Sequence, residues 1–214
     1  MTSIRLERTE GAAVLTLDRA PVNAMNLELL QTLADAAATL AADPPLRGVI
    51  VTGANGVFSA GADLKEVPTY DAAQRAQLSD AAGAAFRTLH RLPVPTVAAV
   101  PGHAIGGGLV LALTCDRRLA VPGDYRLGLP EIRVGVAYPD AAWAIVDAEL
   151  DVTTKRRLVL DGAPIDPHRA ADCGILDELV PAGNILERAL ALAATLAQAP
   201  GYAAVKAQLR GDPV

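Results

Sequence analysis

Two glycine-rich loops carry the residues of this chain best suited to chemistry. They span 58–65 (FSAGADLK) and 102–108 (GHAIGGG), and each follows an apolar strand and leads towards a helix. Glycine and alanine leave the backbone uncovered, so a ligand can reach peptide N–H groups directly. A helix N-terminus adds unpaired N–H donors, and two donors aimed at one oxygen form an oxyanion hole that stabilises an enolate or tetrahedral intermediate. For either loop alone, glycines that merely pack a helix against a strand remain an open alternative.

Other chemistries have less support in the sequence. Neither loop matches the G-x-x-x-x-G-K-[ST] or G-x-G-x-x-G nucleotide-binding patterns. The histidines His90, His103 and His168 are scattered and form no Cys/His set with metal-ligand spacing, so we expect no metal site. Ser59 lies in no nucleophile-elbow pattern, which argues against a serine hydrolase.

Composition indicates a soluble, folded protein of one domain. Of 214 residues, 51% are hydrophobic and 20% are charged, which argues against disorder. A net charge of −5 argues against nucleic-acid and anionic-membrane partners, which need a basic face. Cys115 and Cys173 are predicted to be thiols in a reducing compartment. The segment 1–10 lacks the apolar core of a secretory signal, and the apolar stretch 104–115 is too short to span a membrane. We therefore expect a cytoplasmic protein.

The elements that must position the two loops alternate between strands and helices. Asn26 and Asp166 are predicted helix N-caps, and a turn is predicted at Glu10–Gly11. Hydrophobic periodicity predicts strands at 4–8, 13–17, 48–52, 94–100, 117–120 and 125–128, and helices at 27–43, 71–92, 109–115, 153–162, 167–172 and 184–199. This order predicts an α/β fold whose core covers 1–150, with a helical region at 151–214 in the same domain.

The two loops and their flanking motifs together resemble the enoyl-CoA hydratase/isomerase (crotonase) family. The segments that carry the resemblance, between Ile4 and Gln208, are PVNAMN, FSAGADLKE, VPGHAIGGGLVLALTCD, GLPEIRVGV and CGILDELVP. The resemblance implies repeated ββα units wound into a spiral with a helical C-terminal part, assembled as a trimer or a hexamer. Relatives usually continue past the position of Lys206 with helices over the acyl pocket, so we expect a shortened C-terminal part.

The resemblance also implies an acyl-CoA thioester substrate and roles for particular residues. The backbone N–H groups of Ala62 and Gly107 would hold the thioester oxygen. Coenzyme A enters as part of the substrate, and no metal or redox cofactor is expected. The residues implied to contact the substrate are Ala24, Ala60, Asp63, Leu64 and Lys65, although Lys65 fits a solvated surface residue equally well.

One departure from the family pattern bears on the reaction. Hydratases of the family use two glutamates, and only the later one is present here, as Glu131; the earlier position holds Val110. Hydration must both activate water and protonate the α-carbon, whereas a double-bond shift needs one group that takes a proton and returns it two carbons away. In its acid pattern the chain thus resembles the Δ3,Δ2-enoyl-CoA isomerases of fatty acid metabolism, and Glu131 is the predicted base.

Several alternatives stay open. Hydration by Glu131 alone (a lyase activity), decarboxylation of a malonyl-type thioester and a non-catalytic acyl-CoA-binding module are each compatible with the motifs. Tyr138 and Asp140 are possible secondary groups, because dienoyl-CoA isomerases of the family carry an acid one position away from Asp140. Both residues also fit ordinary loop polarity.

Overall fold

The structure is a computed structural model that describes residues 3–9, 11–43 and 45–211. Its strands are β1 (Ile4–Arg8), β2 (Ala12–Leu17), β3 (Gly48–Gly53), β4 (Thr96–Val100), β5 (Ala104–Ile105), β6 (Arg117–Ala120), β7 (Leu127–Gly128) and β8 (Glu178–Leu179). Its helices are α1 (Leu27–Ala41), α2 (Ala72–His90), α3 (Gly107–Leu113), α4 (Glu131–Val134), α5 (Asp140–Glu149), α6 (Val152–Asp161), α7 (Pro167–Asp172), α8 (Ile185–Leu196) and α9 (Tyr202–Arg210).

The main sheet has the strand order β1-β2-β3-β4-β6-β8. Only β1 and β2 pair antiparallel; the later neighbours are parallel and are joined through helices. Side chains alternate between the two faces with the period of a strand. One face packs against α8, where Ile50, Val97 and Leu119 meet Ala189 and Ala193. The opposite face forms the larger core with α1, α2, α3 and α5.

A second, smaller layer of pairings lies beside the sheet and holds the glycine-rich loops in place. β5 pairs with β7, and single parallel bridges join Ser59 to Ala104 and Met25 to Ala62. An antiparallel bridge then joins Leu127 to Ile165. Successive units of the chain each contribute one short segment to this layer. The loops at the ends of those segments are therefore brought side by side.

Most predicted elements are confirmed, with shifts at their ends. Asn26 and Asp166 cap helices through their side chains, as predicted. The turn before β2 contains Gly11 with φ of 81°, while Glu10 lies outside the described residues. The predicted strand 125–128 was too long, because pairing is limited to the two residues of β7. Among the described residues, no helix is long and apolar enough to cross a membrane.

The predicted helix 109–115 was placed two residues late, since α3 begins at Gly107 and ends at Leu113. The sequence did not predict α4, α5, α9, β5 and β8. β8 is two residues long and pairs with β6 through Leu119 and Ala120, so it has too few side chains for a periodic signal. α9 exposes Val205 and Leu209 and buries Lys206, which is the reverse of the pattern that predicts a helix from its apolar face.

A buried charged cluster anchors the C-terminal end of α3. The Asp116 carboxylate accepts hydrogen bonds from the backbone N–H of Thr96 at 2.8 Å, from Lys206 Nζ at 2.7 Å and from the Tyr202 hydroxyl at 2.9 Å. Arg210 pairs with the same carboxylate at 3.1 Å. Asp116 thereby ties β4 to the last helix of the described chain and fixes the segment that follows α3.

We expect Asp116→Asn to lower the free energy of unfolding by about 3 kcal/mol, because it leaves the buried Lys206 without its anion and removes one of the two carboxylates that pair with Arg210. The matched control is Asp147→Asn, which breaks an ion pair with Lys155 at an aspartate whose side chain is 60% exposed. This control is expected to cost less than about 1 kcal/mol. Denaturant unfolding of the two variants and the wild type measures the difference, and equal losses would contradict the anchoring role.

Candidate active site

Three segments of the chain meet at the C-terminal ends of the short strand pairings described above. They are the two glycine-rich loops and the segment that leads into α4. The backbone N–H groups of Phe58 and Ser59 both donate to the carbonyl of His103, at 3.1 and 2.9 Å. Ile105 N–H donates back to the Ser59 carbonyl at 3.0 Å. The N–H of the next residue, Gly106, donates at 2.8 Å to the carbonyl of Gly128, a residue three positions before Glu131. These bonds join the two glycine-rich loops to each other and to the start of α4.

The N–H groups of Ala62 and Gly107 are left free by this arrangement. Met25 N–H donates to the Gly61 carbonyl at 2.7 Å and the Met25 carbonyl accepts from Asp63 N–H at 2.9 Å, so the N–H of Ala62 points to the other side. Gly107 is the first residue of α3, where a backbone N–H has no intrahelical acceptor. Neither N–H has a hydrogen-bond partner within residues 3–9, 11–43 and 45–211.

Glycine is required where the two loops touch. A Cβ at Gly61, whose φ is 79°, would lie 2.5 Å from the Ile105 carbonyl oxygen and 3.3 Å from the Gly107 nitrogen. A Cβ at Gly108 would lie 2.4 Å from the Ser59 carbonyl oxygen. Both distances to oxygen are too short for any side chain. The sequence left open whether these glycines serve packing or a ligand, and the geometry assigns packing to Gly61 and Gly108.

Glu131 is the first residue of α4 and turns its carboxylate towards the second glycine-rich loop. Its Oε1 lies 3.2 Å from where a Cβ at Gly106 would be. Its Oε2 accepts a hydrogen bond from the Tyr138 hydroxyl at 2.7 Å. Burial raises the pKa of Glu131 above its usual value of 4.5, and the hydrogen bond from Tyr138 offsets only part of that rise. A half-buried carboxylate with a raised pKa beside free N–H donors is suited to proton transfer.

Val110 lies one turn into α3, and its side chain is 1% exposed. An apolar side chain at this depth can neither accept nor donate a proton. Asp140 is exposed in the first turn of α5. The hydroxyl that reaches Glu131 is that of Tyr138, so the structure brings one of the two possible secondary groups into contact with the predicted base.

The residues predicted to contact substrate line the first loop and its neighbour. Leu64 is 63% exposed, Lys65 is exposed, and Ala24 and Ala60 are partly buried. Asp63 differs from the rest, because its carboxylate is held by Arg19 at 2.7 Å and accepts from the N–H groups of the turn that follows. Although burial raises the pKa of Asp63, these hydrogen bonds bring it below its usual value.

Two residues that shape the loop were missed at the sequence level. Asn23 is buried with φ of 52°, and its Nδ2 donates to the carbonyls of Val57 and Phe58 at 2.8 and 3.2 Å. Arg19 donates to the carbonyl of Ala24 at 3.0 Å while it pairs with Asp63. The signal for Asn23 was its position after Pro21 and Val22 in a turn, since asparagine tolerates positive φ better than most residues.

We expect Gly106→Ala to lower turnover by about 100-fold or more, because a Cβ there would push the Glu131 carboxylate away and φ of 54° disfavours any side chain. Gly174→Ala is the matched control, with φ of 77° and open space around the position. Both variants place a side chain at a positive φ, but only Gly106→Ala displaces the Glu131 carboxylate. Comparing kcat and melting temperature of the two variants therefore separates the effect of backbone strain from that of the displaced carboxylate. Equal activity in both would show that Gly106 has no role in placing the Glu131 carboxylate.

Comparisons with known proteins identify the family of this chain. The model of the enoyl-CoA hydratase/isomerase family matches residues 7–211. A probable enoyl-CoA hydratase of Mycobacterium bovis is 34% identical over 205 residues, which cover 94% of this chain and 78% of that protein.

Solved structures extend the match to three dimensions. Human mitochondrial Δ3-Δ2-enoyl-CoA isomerase superposes with a TM-score of 0.90 at 30% identity, over 97% of this chain and 83% of that one. Pseudomonas aeruginosa DspI superposes with a TM-score of 0.89 at 28% identity, over 99% and 81% of the two chains. The α/β spiral with a helical C-terminal part is thus confirmed, and the chain belongs to the enoyl-CoA hydratase/isomerase family.

Proposed function

We propose that this protein converts 3-enoyl-CoA into 2-trans-enoyl-CoA, with Glu131 as its only base. The observation that carries the proposal is the position of Glu131. Its carboxylate lies against Gly106, one residue before the free N–H of Gly107. Val110, at the position where the resemblance implies the second glutamate of a hydratase, is apolar and buried. One carboxylate beside free donors is what a proton shift requires.

In the proposed reaction the N–H groups of Ala62 and Gly107 bind the thioester oxygen. This withdraws electrons from the carbonyl and makes a C2 proton more acidic. Glu131 removes that proton, and the electron pair forms a dienolate whose negative charge the two N–H groups stabilise. The same carboxyl group then returns the proton to C4, while the double bond moves from C3–C4 to C2–C3. No atom is gained or lost, and Glu131 ends as it began.

Hydration is the second candidate, and the names of the curated relatives favour it, since they include several probable enoyl-CoA hydratases. In a hydratase the group opposite Glu131 must share the work of activating water and protonating carbon. Val110 offers no proton for that purpose. The human structural relative named as an isomerase supports the one-base reaction instead.

We expect Glu131→Gln to lower kcat by about 100- to 10,000-fold, the usual contribution of a general base. Binding of acyl-CoA should change little, because glutamine keeps the size of the side chain. The measurement is the absorbance of the conjugated 2-enoyl thioester formed from 3-enoyl-CoA, beside calorimetric titration with a saturated acyl-CoA.

The control is Glu187→Gln, an exposed glutamate in the first turn of α8 on the other side of the sheet. It should behave as the wild type does. If Glu131→Gln retains full turnover, the base lies elsewhere. If neither the variant nor the wild type converts 3-enoyl-CoA although both bind acyl-CoA, decarboxylation or a non-catalytic binding module becomes the better interpretation.

The proposal includes a homo-oligomer, as the resemblance implies a trimer or hexamer. Large apolar side chains on and beside α4 and α5 are exposed in the single chain: Ile132, Val134, Val136 and Trp143. A subunit contact there would remove this surface from water. Light scattering of the purified protein is expected to give the mass of three or six chains, and a monomer would contradict this part of the proposal.

A further inference from the structure

We propose that Tyr138 is a positioning residue that holds one oxygen of the Glu131 carboxylate and leaves the other, Oε1, to exchange the proton with substrate. This inference rests on the proposed function of Glu131. The Tyr138 hydroxyl donates to Glu131 Oε2 at 2.7 Å, while Oε1 lies over the bare backbone of Gly106. The two oxygens of one carboxylate thus have different surroundings.

The chain between α4 and α5 is shaped to return Tyr138 to Glu131. α4 ends at Val134, and the next residue, Gly135, has φ of 67° and reverses the chain. The N–H groups of Gly135 and Val136 both donate to the carbonyl of Glu131 itself. The turn that leads to Tyr138 is therefore hydrogen-bonded to the backbone of Glu131, the residue whose side chain Tyr138 contacts.

The Tyr138 ring is held from its other side by Trp143. The two ring centres are 5.7 Å apart and the planes are inclined by 52°, a tilted aromatic contact. Apart from Glu131, the acceptor within reach of the hydroxyl is the Leu129 carbonyl, at 3.4 Å. The shorter bond to the carboxylate is the stronger one, because its acceptor is charged.

No other charged side chain in the described ranges forms a hydrogen bond or ion pair with Glu131. On α4 itself, Arg133 donates to the carbonyl of Asp161. On the glycine-rich loop, His103 accepts from the N–H of Arg126. The remaining titratable side chains on the neighbouring α5 and α6 are Asp140, Asp147, Glu149, Lys155, Arg156, Arg157 and Asp161. Among the side chains of the described residues, Tyr138 is therefore the one that opposes the effect of burial on the pKa of Glu131.

This contact makes a specific contribution to the reaction. Burial raises the pKa of Glu131, and the hydrogen bond from Tyr138 lowers it, so the carboxylate stays ionised over a wider pH range. The same bond prevents rotation of the carboxylate away from Gly106. Loss of the hydroxyl should act on kcat and on its pH dependence, and should leave the binding of the CoA portion unchanged.

The test is Tyr138→Phe, with Tyr202→Phe as the matched control. The control also removes a hydroxyl bonded to a carboxylate, that of Asp116, at the far end of α3. For Tyr138→Phe we expect kcat at neutral pH to fall by about tenfold, with KM within about twofold of the wild type. The acidic limb of the kcat/KM profile should move to higher pH. Tyr202→Phe should leave the profile where it is.

A readout independent of turnover separates this inference from the proposed function. Carbon-13 NMR of labelled glutamate carboxyls, with the Glu131 signal assigned from Glu131→Gln, follows the titration of this group directly. We expect the Glu131 titration to move to higher pH in Tyr138→Phe, whichever reaction the protein catalyses. An unchanged Glu131 titration would overturn the inference, even if the 3-enoyl-CoA assay succeeds.

Discussion

The close contact between the loop at 58–65 and the start of α3 is the constraint on which the rest of the site depends. The Ser59 and Ile105 carbonyls lie where side chains at Gly108 and Gly61 would have to be. The two backbones can approach this closely only because these residues lack a Cβ. The approach brings the segment of Ala62 beside the first N–H of α3. The short pairings of the second layer hold the two loops at this distance.

Glu149 and Glu131, two partly buried carboxylates, have pKa values shifted in opposite directions. Burial raises the pKa of Glu149, but the hydrogen bond from His90 and the charges of Arg210 and Arg118 outweigh it and bring the pKa below 4.5. Such a group stabilises the fold above its unfolded pKa, and this stability is lost as the pH falls. Glu131 has no cation partner in the described chain, and its pKa is raised. Glu131 therefore disfavours the folded state at neutral pH, which is the cost expected of a partly buried carboxylate that serves as a base.

The sequence was sufficient for most of the longer strands and helices and for the two glycine-rich loops. Periodicity identified β2 and β3, and side-chain caps identified the starts of α1 and α7. Hydrophobic periodicity could not predict α9, because this helix buries Lys206, a polar residue whose partner Asp116 is far away in the sequence. The same limit applies to the site. The contact between Tyr138 and Glu131 depends on how the segment 131–138 folds back, and no local sequence pattern predicts this.

The one-base mechanism is tested most directly by following the proton itself. A 3-enoyl-CoA carrying deuterium at both C2 positions is converted in ordinary water, and the product is analysed by mass spectrometry and NMR. The account predicts 2-enoyl-CoA that retains one deuterium at C2 and carries transferred deuterium at C4 in a measurable fraction of molecules. A solvent proton at C4 in every molecule, or 3-hydroxyacyl-CoA as the product, would contradict it.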